Sequence, residues 1–170
     1  MNIFIKVLIN HAIFLILHYA YDFFPNSFVA LLSGINESMF QHMKIGFFSY
    51  GLASAIELTW LGRTKKISGV LFIRLFTTTL LPWIMMLIYY VPVAFFGEID
   101  SYVLEIVIAN TVLILTALQT VLLEQDFDRM NVSFKFKVLS SLVFVIAGFL
   151  FIFFTFQLPW FDVFAVPPGW

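Results

Sequence analysis

Five stretches of almost unbroken apolar sequence, separated by short polar segments, run along the chain. Each is long enough to cross the hydrocarbon core of a bilayer as a helix, which takes about 20 residues. Apolar side chains occur on every face of these helices, as is typical of helices surrounded by lipid. We therefore predict an all-α polytopic membrane protein with a single transmembrane domain, residues 1–170, and five spanning helices. The stretches are 3–24, 37–61, 68–90, 101–123 and 138–158.

The composition supports a membrane protein. The chain is 62% hydrophobic and 11% charged, whereas soluble proteins are about 45–50% apolar and about 25% charged. These values exclude a soluble globular domain, a disordered chain and a basic nucleic-acid binder, so the expected partner is the lipid bilayer. The chain contains no cysteine, which excludes thiolate metal sites and cysteine nucleophiles. The first stretch is not expected to be a cleaved signal peptide, because its apolar run is long and contains two histidines.

The distribution of Lys and Arg predicts the orientation of the helices. Basic residues occur in the loops after the second and fourth stretches, whereas the loop after the third contains none. Cytoplasmic loops carry the excess of Lys and Arg, so both termini can be placed: the N-terminus inside and the C-terminus outside the cell membrane. The basic residues behind this prediction are Lys6, Arg63, Lys65, Lys66, Arg129, Lys135 and Lys137.

This topology brings polar residues from three separate segments to the extracytoplasmic face. The end of the first helix carries His18 and Asp22, which are four apart and so share one helix face. The second helix begins with NESMFQHMK, residues 36–44, and His42 is expected at about the depth of His18. The third segment is the Pro-rich tail, which contains Asp162.

Two histidines and several carboxylates at one membrane interface are suited to bind a divalent metal. Zinc accepts His nitrogen and carboxylate oxygen, and a catalytic zinc site keeps one position for water. In this interpretation the cofactor is zinc or another divalent ion. Glu37 acts as base or supports a ligand by contacting it, while Ser38 orients water or substrate. The metal ligands are then His18, Asp22, His42 and Asp162.

A second interpretation gives the same residues only a structural role. His18 and Asp22 then satisfy each other as buried polar groups. Asn36, Glu37 and Ser38 only cap the second helix, with Asn36 as the cap and Glu37 in the first turn, and His42 bonds a neighbouring carbonyl. Two functions therefore stay open, and the sequence does not decide whether the protein is an enzyme. One is a metal-dependent hydrolase acting on a lipid or another membrane-embedded substrate. The other is a non-enzymatic structural or interaction protein whose polar cluster locks the tail onto the bundle.

Three further charged residues lie inside the apolar stretches. Glu57 and Arg74 flank the loop between the second and third helices at matching depths. A lone charge there would cost several kcal/mol, so we predict that they form an ion pair. Glu105 lies one turn into the fourth helix. Proton or solute transport through Glu105 and the histidines is a third functional hypothesis.

Three motifs carry a resemblance to a known family. They are Leu17-His18-x-x-Tyr21-Asp22, the NESMFQHMK segment, and the FTFQLPWFDVFAVPPGW tail. In these the chain resembles a family of small bacterial and archaeal integral membrane proteins, classified as a domain of unknown function. The specific part is Asn-Glu-Ser-x-x-x-His-x-Lys at 36–44. The family tends to have Trp-Glu where Phe40 and Gln41 stand here, and this tail lacks the family's Gly-Thr-Tyr-Gly ending. The resemblance implies a membrane architecture and residues to test, but no reaction.

Overall fold

The structure is a computed structural model that describes residues 1–62, 69–97, 101–159 and 162–166, without the side chain of Asp162. Within these ranges the chain is helical and contains no strand, which confirms the all-α prediction. The elements are α1 (Ile3–Phe23), α2 (Ser27–Ala30), α3 (Met39–Leu61), α4 (Val70–Phe96), α5 (Tyr102–Phe127), α6 (Phe134–Phe156) and a 3₁₀ turn (Asp162–Phe164).

Four of the long helices, α1, α4, α5 and α6, are long and apolar enough to cross a membrane. They support a membrane protein. The remaining long helix, α3, was expected to be a fifth span but is not among these four. More than half of its residues are buried, including polar ones such as Lys44 and Glu57. A helix that faces mainly protein does not need an apolar surface for lipid, so its polar residues are compatible with a central position. Five crossings and the orientation remain predictions.

The core is a ring of four helices. Helix α3 packs against α1 and α4, and α5 packs against the same two helices, while α6 lies outside the ring against α4. The charged residues that end α3 and α5 contact those that begin α1 and α4, so neighbouring helices in the ring run antiparallel. Two apolar clusters hold the helices together. One, around Phe14, Met43 and Met85, extends through Phe47 to α6, and the other, around Val7, Tyr50, Leu81 and Val121, lies within the ring.

The start of α3 differs from the sequence prediction. Asn36 was expected to cap this helix, but the N-cap is Ser38, whose Oγ accepts a hydrogen bond from the Gln41 amide at 3.4 Å. Asn36 instead closes a turn, because its Oδ1 accepts from the Ser38 amide at 3.0 Å. Both residue types favour capping, and the two-residue shift is within the usual uncertainty of helix ends. Glu37 therefore precedes the helix instead of lying in its first turn.

Candidate functional site

Three side chains converge where α1 and α4 end and α3 and α5 begin, which we call the histidine end. They are His18, Glu37 and His42, and one ligand atom from each lies within 4.8 Å of the other two. Glu37 bridges the histidines, with its Oε1 3.7 Å from His18 Nε2 and its Oε2 3.4 Å from His42 Nε2. The two imidazole rings are 5.3 Å apart between centroids, in agreement with the similar depths expected from the sequence.

Neighbouring groups fix the orientation of the two histidine rings toward Glu37. His42 Nδ1 lies 3.0 Å from the Ser38 carbonyl oxygen. A carbonyl only accepts, so Nδ1 donates this hydrogen bond and Nε2 faces Glu37. Nε2 can donate to the carboxylate when it carries a proton, and it can offer its lone pair to a metal ion when it does not. Phe14, one turn before His18, stacks against His18 at 6.1 Å and against His42 at 6.4 Å. The two rings are therefore held in place by a buried aromatic side chain.

The spacing of the three donor groups suits a divalent metal ion. Two ligands on a tetrahedral ion, at bond lengths of about 2.1 Å, lie about 3.4 Å apart. His42 Nε2 lies 3.4 Å from Oε2 of Glu37 and His18 Nε2 lies 3.7 Å from its Oε1, both close to this value. With one donor atom taken from each residue, all three lie within 4.8 Å of one another. Two His and one Glu form a known ligand set of catalytic zinc, and three protein ligands leave a position for water. The donor set at the histidine end fits such an ion.

The electrostatic surroundings of Glu37 favour its ionised form. The hydrogen-bonding interaction with His42 is the strongest influence that lowers the pKa of Glu37, although burial opposes it, and His18 lowers the pKa further. The net effect holds this pKa below its ordinary value. A carboxylate that stays ionised at neutral pH can ligate a cation without first losing a proton.

The three residues lie on the wall of a cavity of about 530 Å³ between α1, α3, α4 and α5. This volume is within the range of about 300–1,000 Å³ that is typical of small-molecule sites. Most of the wall is apolar or aromatic, with contributions from Phe14, Met85 and Leu113. Ala165 and Val166, which follow the 3₁₀ turn, also line it, so the tail borders the cavity.

The remaining predicted site residues have different positions. Asp22 lines the same cavity but is outside the three-residue group. The Ser38 hydroxyl is buried and accepts the capping hydrogen bond, so it does not face the cavity as a free hydroxyl. The side chain of Asp162 lies outside the described part of the structure, and its role as a ligand stays a prediction. Glu37 lies between the two histidines, and its predicted role as a base stays a prediction.

Some residues of the site were not identified from the sequence. Phe14 is four residues before His18, so the same helical spacing that pairs His18 with Asp22 could have indicated it. The side chains of Tyr89, Tyr90 and Tyr102 line the cavity, although tyrosine near the end of a span is also typical of the membrane interface. Only the packing of α4 against α5 shows that they face the site.

A second polar cluster lies at the opposite end of the ring, which we call the ion-pair end. Arg74 donates to Glu57, from Nε at 2.9 Å and from Nη2 at 3.2 Å, which confirms the predicted pair. Lys6 donates to Glu57 and Glu124, at 2.6 Å each. Arg74 also makes a two-pronged contact with Asp128 at 3.0 and 2.9 Å. This buried network joins one end of all four ring helices.

Comparison with known proteins gives no assignment: no family model, curated protein or solved structure matches this chain.

Proposed function

We propose that this protein is a metal-dependent membrane hydrolase that acts on a lipid or another membrane-embedded substrate. His18, Glu37 and His42 are the proposed ligands of a divalent ion, with zinc as the first choice. The observation that carries the proposal is the convergence of three donor groups, within 4.8 Å of one another, on the wall of a cavity of about 530 Å³. The resemblance to a family of small membrane proteins fits this architecture and remains part of the proposal.

The surrounding residues suit hydrolysis. A divalent ion in a three-ligand site supplies Lewis acidity toward a carbonyl or phosphoryl oxygen. Asp22 lines the cavity without being part of the ligand group, so its carboxylate is available to accept a proton from water. Ser38 acts as a positioning residue, because its carbonyl accepts a hydrogen bond from His42 Nδ1 and thereby orients Nε2.

The position of the cavity supports a membrane-embedded substrate. Three of the helices that form it, α1, α4 and α5, are apolar enough to span the membrane. Their cavity-facing side chains include Ile106, Val112 and Leu113, which suit an apolar chain better than a polar metabolite. We place this site on the extracytoplasmic side of the cell membrane, as the distribution of Lys and Arg predicts.

Metal analysis of the purified protein tests the ligand set. We expect near-stoichiometric zinc or another divalent ion in the wild type after metal-replete purification. The double variant His18→Ala/His42→Ala should lose the metal while it keeps its helical circular dichroism spectrum. His11→Ala is the matched control, because His11 is outside the group and should leave the metal content unchanged. Absence of metal from the wild type, or equal metal in the double variant, would contradict the proposed site.

Hydrolysis is tested separately with lipids in nanodiscs. Mass spectrometry should detect release of a fatty acid or a headgroup by the metal-loaded protein. A chelator should stop the release and added zinc should restore it. Glu37→Gln, which removes one proposed ligand charge, should reduce both bound metal and release. If the protein binds metal but hydrolyses no lipid class, the proposed metal site stands and the proposed hydrolase activity is refuted.

A second candidate function is a structural or interaction protein. The contact of the tail favours it, because Phe164 packs on Phe40 with ring centroids 4.5 Å apart and Ala165 and Val166 line the cavity. In that case Glu37 only links the two histidines. The double histidine variant would then bind no less metal than the wild type, but it would lose about 1–3 kcal/mol of stability by leaving Glu37 without partners.

A further inference from the structure

The part of the cavity that α4 and α5 form differs in chemistry from the part that carries the histidines. Glu105, in the first turn of α5, is half-buried and lines the cavity. Tyr89, Tyr90 and Tyr102 line it as well. An acidic group among aromatic rings is the combination with which proteins bind organic cations, since ring faces and a carboxylate both attract positive charge.

Glu105 lies close enough to Tyr89 to interact with it electrostatically, but no Lys, Arg or His of the described ranges forms an ion pair with its carboxylate. Within residues 1–62, 69–97, 101–159 and 162–166, the hydrogen bond of Glu105 is that of its backbone amide to the Ser101 carbonyl, and its carboxylate has no cationic side chain beside it.

The described lining of the cavity contains two more carboxylates, Asp22 and Glu37, and neither Lys nor Arg. His18 and His42 are both within 3.7 Å of the Glu37 carboxylate. Glu105 has no such basic neighbour among the described lining residues, so its negative charge would attract a cation into the cavity.

We propose that this cavity binds an amphiphile with an organic ammonium group, which is seated between Glu105 and the tyrosines. Its apolar chain lies along Ile106, Val112 and Leu113, which line the same cavity. The proposal rests on the proposed function in that it names the substrate class of the hydrolase, an ammonium-bearing lipid. Binding of the ammonium group itself needs no metal, so it can be tested without the histidine site.

The test is calorimetric titration of the full chain in nanodiscs, in the presence of a chelator, with empty nanodiscs as the reference for partitioning. The probe is octyltrimethylammonium, and octyl sulfate is the anionic probe with the same chain. We expect the ammonium probe to bind at least about tenfold more tightly than the sulfate, since attraction to a half-buried carboxylate is worth this much. Tetramethylammonium, which lacks the octyl chain, distinguishes a lipid ligand from a small free amine. If it binds about tenfold more weakly than octyltrimethylammonium, the chain contributes to affinity and the ligand is a lipid. If the two bind equally, the ligand is a free amine.

Glu105→Gln should weaken binding of octyltrimethylammonium about tenfold. Its melting temperature should not fall, because no ion pair within the described ranges depends on that carboxylate. Asp126→Asn is the matched control on the same helix. The Asp126 side chain is 74% exposed and outside the cavity lining, so the affinity should not change.

Equal affinity in wild type and Glu105→Gln, or equal affinity for the ammonium and sulfate probes, would overturn the ammonium site. The proposed function fails differently, by the absence of metal or of hydrolysis. Ammonium binding that persists in His18→Ala/His42→Ala would support the ammonium site even if the metal proposal is refuted.

Discussion

Charged side chains that lie deep in the bundle depend on opposite charges from other helices. Lys6 is 1% exposed, and its Nζ lies 2.6 Å from carboxylates of both Glu57 and Glu124. Arg74 contacts Glu57 and Asp128, which extends the network across the ring. Removing such charges from water costs several kcal/mol each, and only close partners offset this cost. If one member is lost, the remaining charges therefore stay buried without enough opposite charge to offset their removal from water.

Lys6→Met should lower the free energy of unfolding by about 3–5 kcal/mol, because it leaves two buried carboxylates with one cation fewer. Unfolding in mixed micelles with increasing denaturing detergent measures this loss. Lys135→Met is the control, since Lys135 is exposed and should change stability by less than about 0.5 kcal/mol. The double variant Lys6→Met/Glu124→Gln should recover part of the loss. A single variant as stable as the control would show that the network contributes little.

Local spacing explains which residue contacts could be predicted from the sequence. Glu57 and Arg74 flank one short loop at equal depth, so their pairing followed from helix length and the cost of a lone charge. Lys6 and Glu124 are 118 positions apart, and no helical period relates them. The same holds for Glu37, whose position between the two histidines depends on how α1 packs against α3.

Among the elements, α3 connects the ring to the tail. Its first turn carries His42, and Phe40 from the same turn packs against Phe164 of the 3₁₀ turn at 4.5 Å. Phe164 also contacts Phe154 of α6 at 5.7 Å. The tail is thus held by aromatic contacts against the helix that positions the proposed metal ligand.

Phe164→Ala should lower the free energy of unfolding by about 1–3 kcal/mol, because it removes a partly buried ring from two aromatic partners. Thermal unfolding of the detergent-solubilised protein measures the change. Phe95→Ala is the matched control, since Phe95 is 81% exposed and its truncation leaves no cavity in the bundle. Equal melting temperatures of the two variants would contradict a packed tail.

The long helices could be predicted from the sequence, but their ends and the short elements could not. Apolar length alone indicated the five long helices, because a bilayer requires about 20 apolar residues for each crossing. The four residues of α2 are too few for a periodic pattern, and the 3₁₀ turn is shorter still. Asn36 and Ser38 both suit an N-cap, so only the backbone of the folded chain distinguished them.

At the scale of the whole molecule, the two ends of the bundle differ in charge. Among the described residues, the ion-pair end includes Lys6 and Arg74, and the exposed residues Arg129 and Lys135 extend from the same side. The histidine end has Lys44, which is buried and donates to the Ala30 carbonyl and to Thr155. The asymmetry of exposed basic residues predicts that the ion-pair end faces the cytoplasm.

Cysteine labelling tests this orientation, and the natural chain contributes no background because it contains no cysteine. Ser27→Cys places a thiol on an exposed residue at the histidine end, and Asn131→Cys places one on an exposed residue between α5 and α6. In intact cells a membrane-impermeant maleimide should label Ser27→Cys, and it should label Asn131→Cys only after permeabilisation. The reverse pattern would invert the bundle and place the histidine cavity on the cytoplasmic side. Labelling of both in intact cells would contradict an odd number of crossings between them, because α3, α4 and α5 could then not all span the membrane.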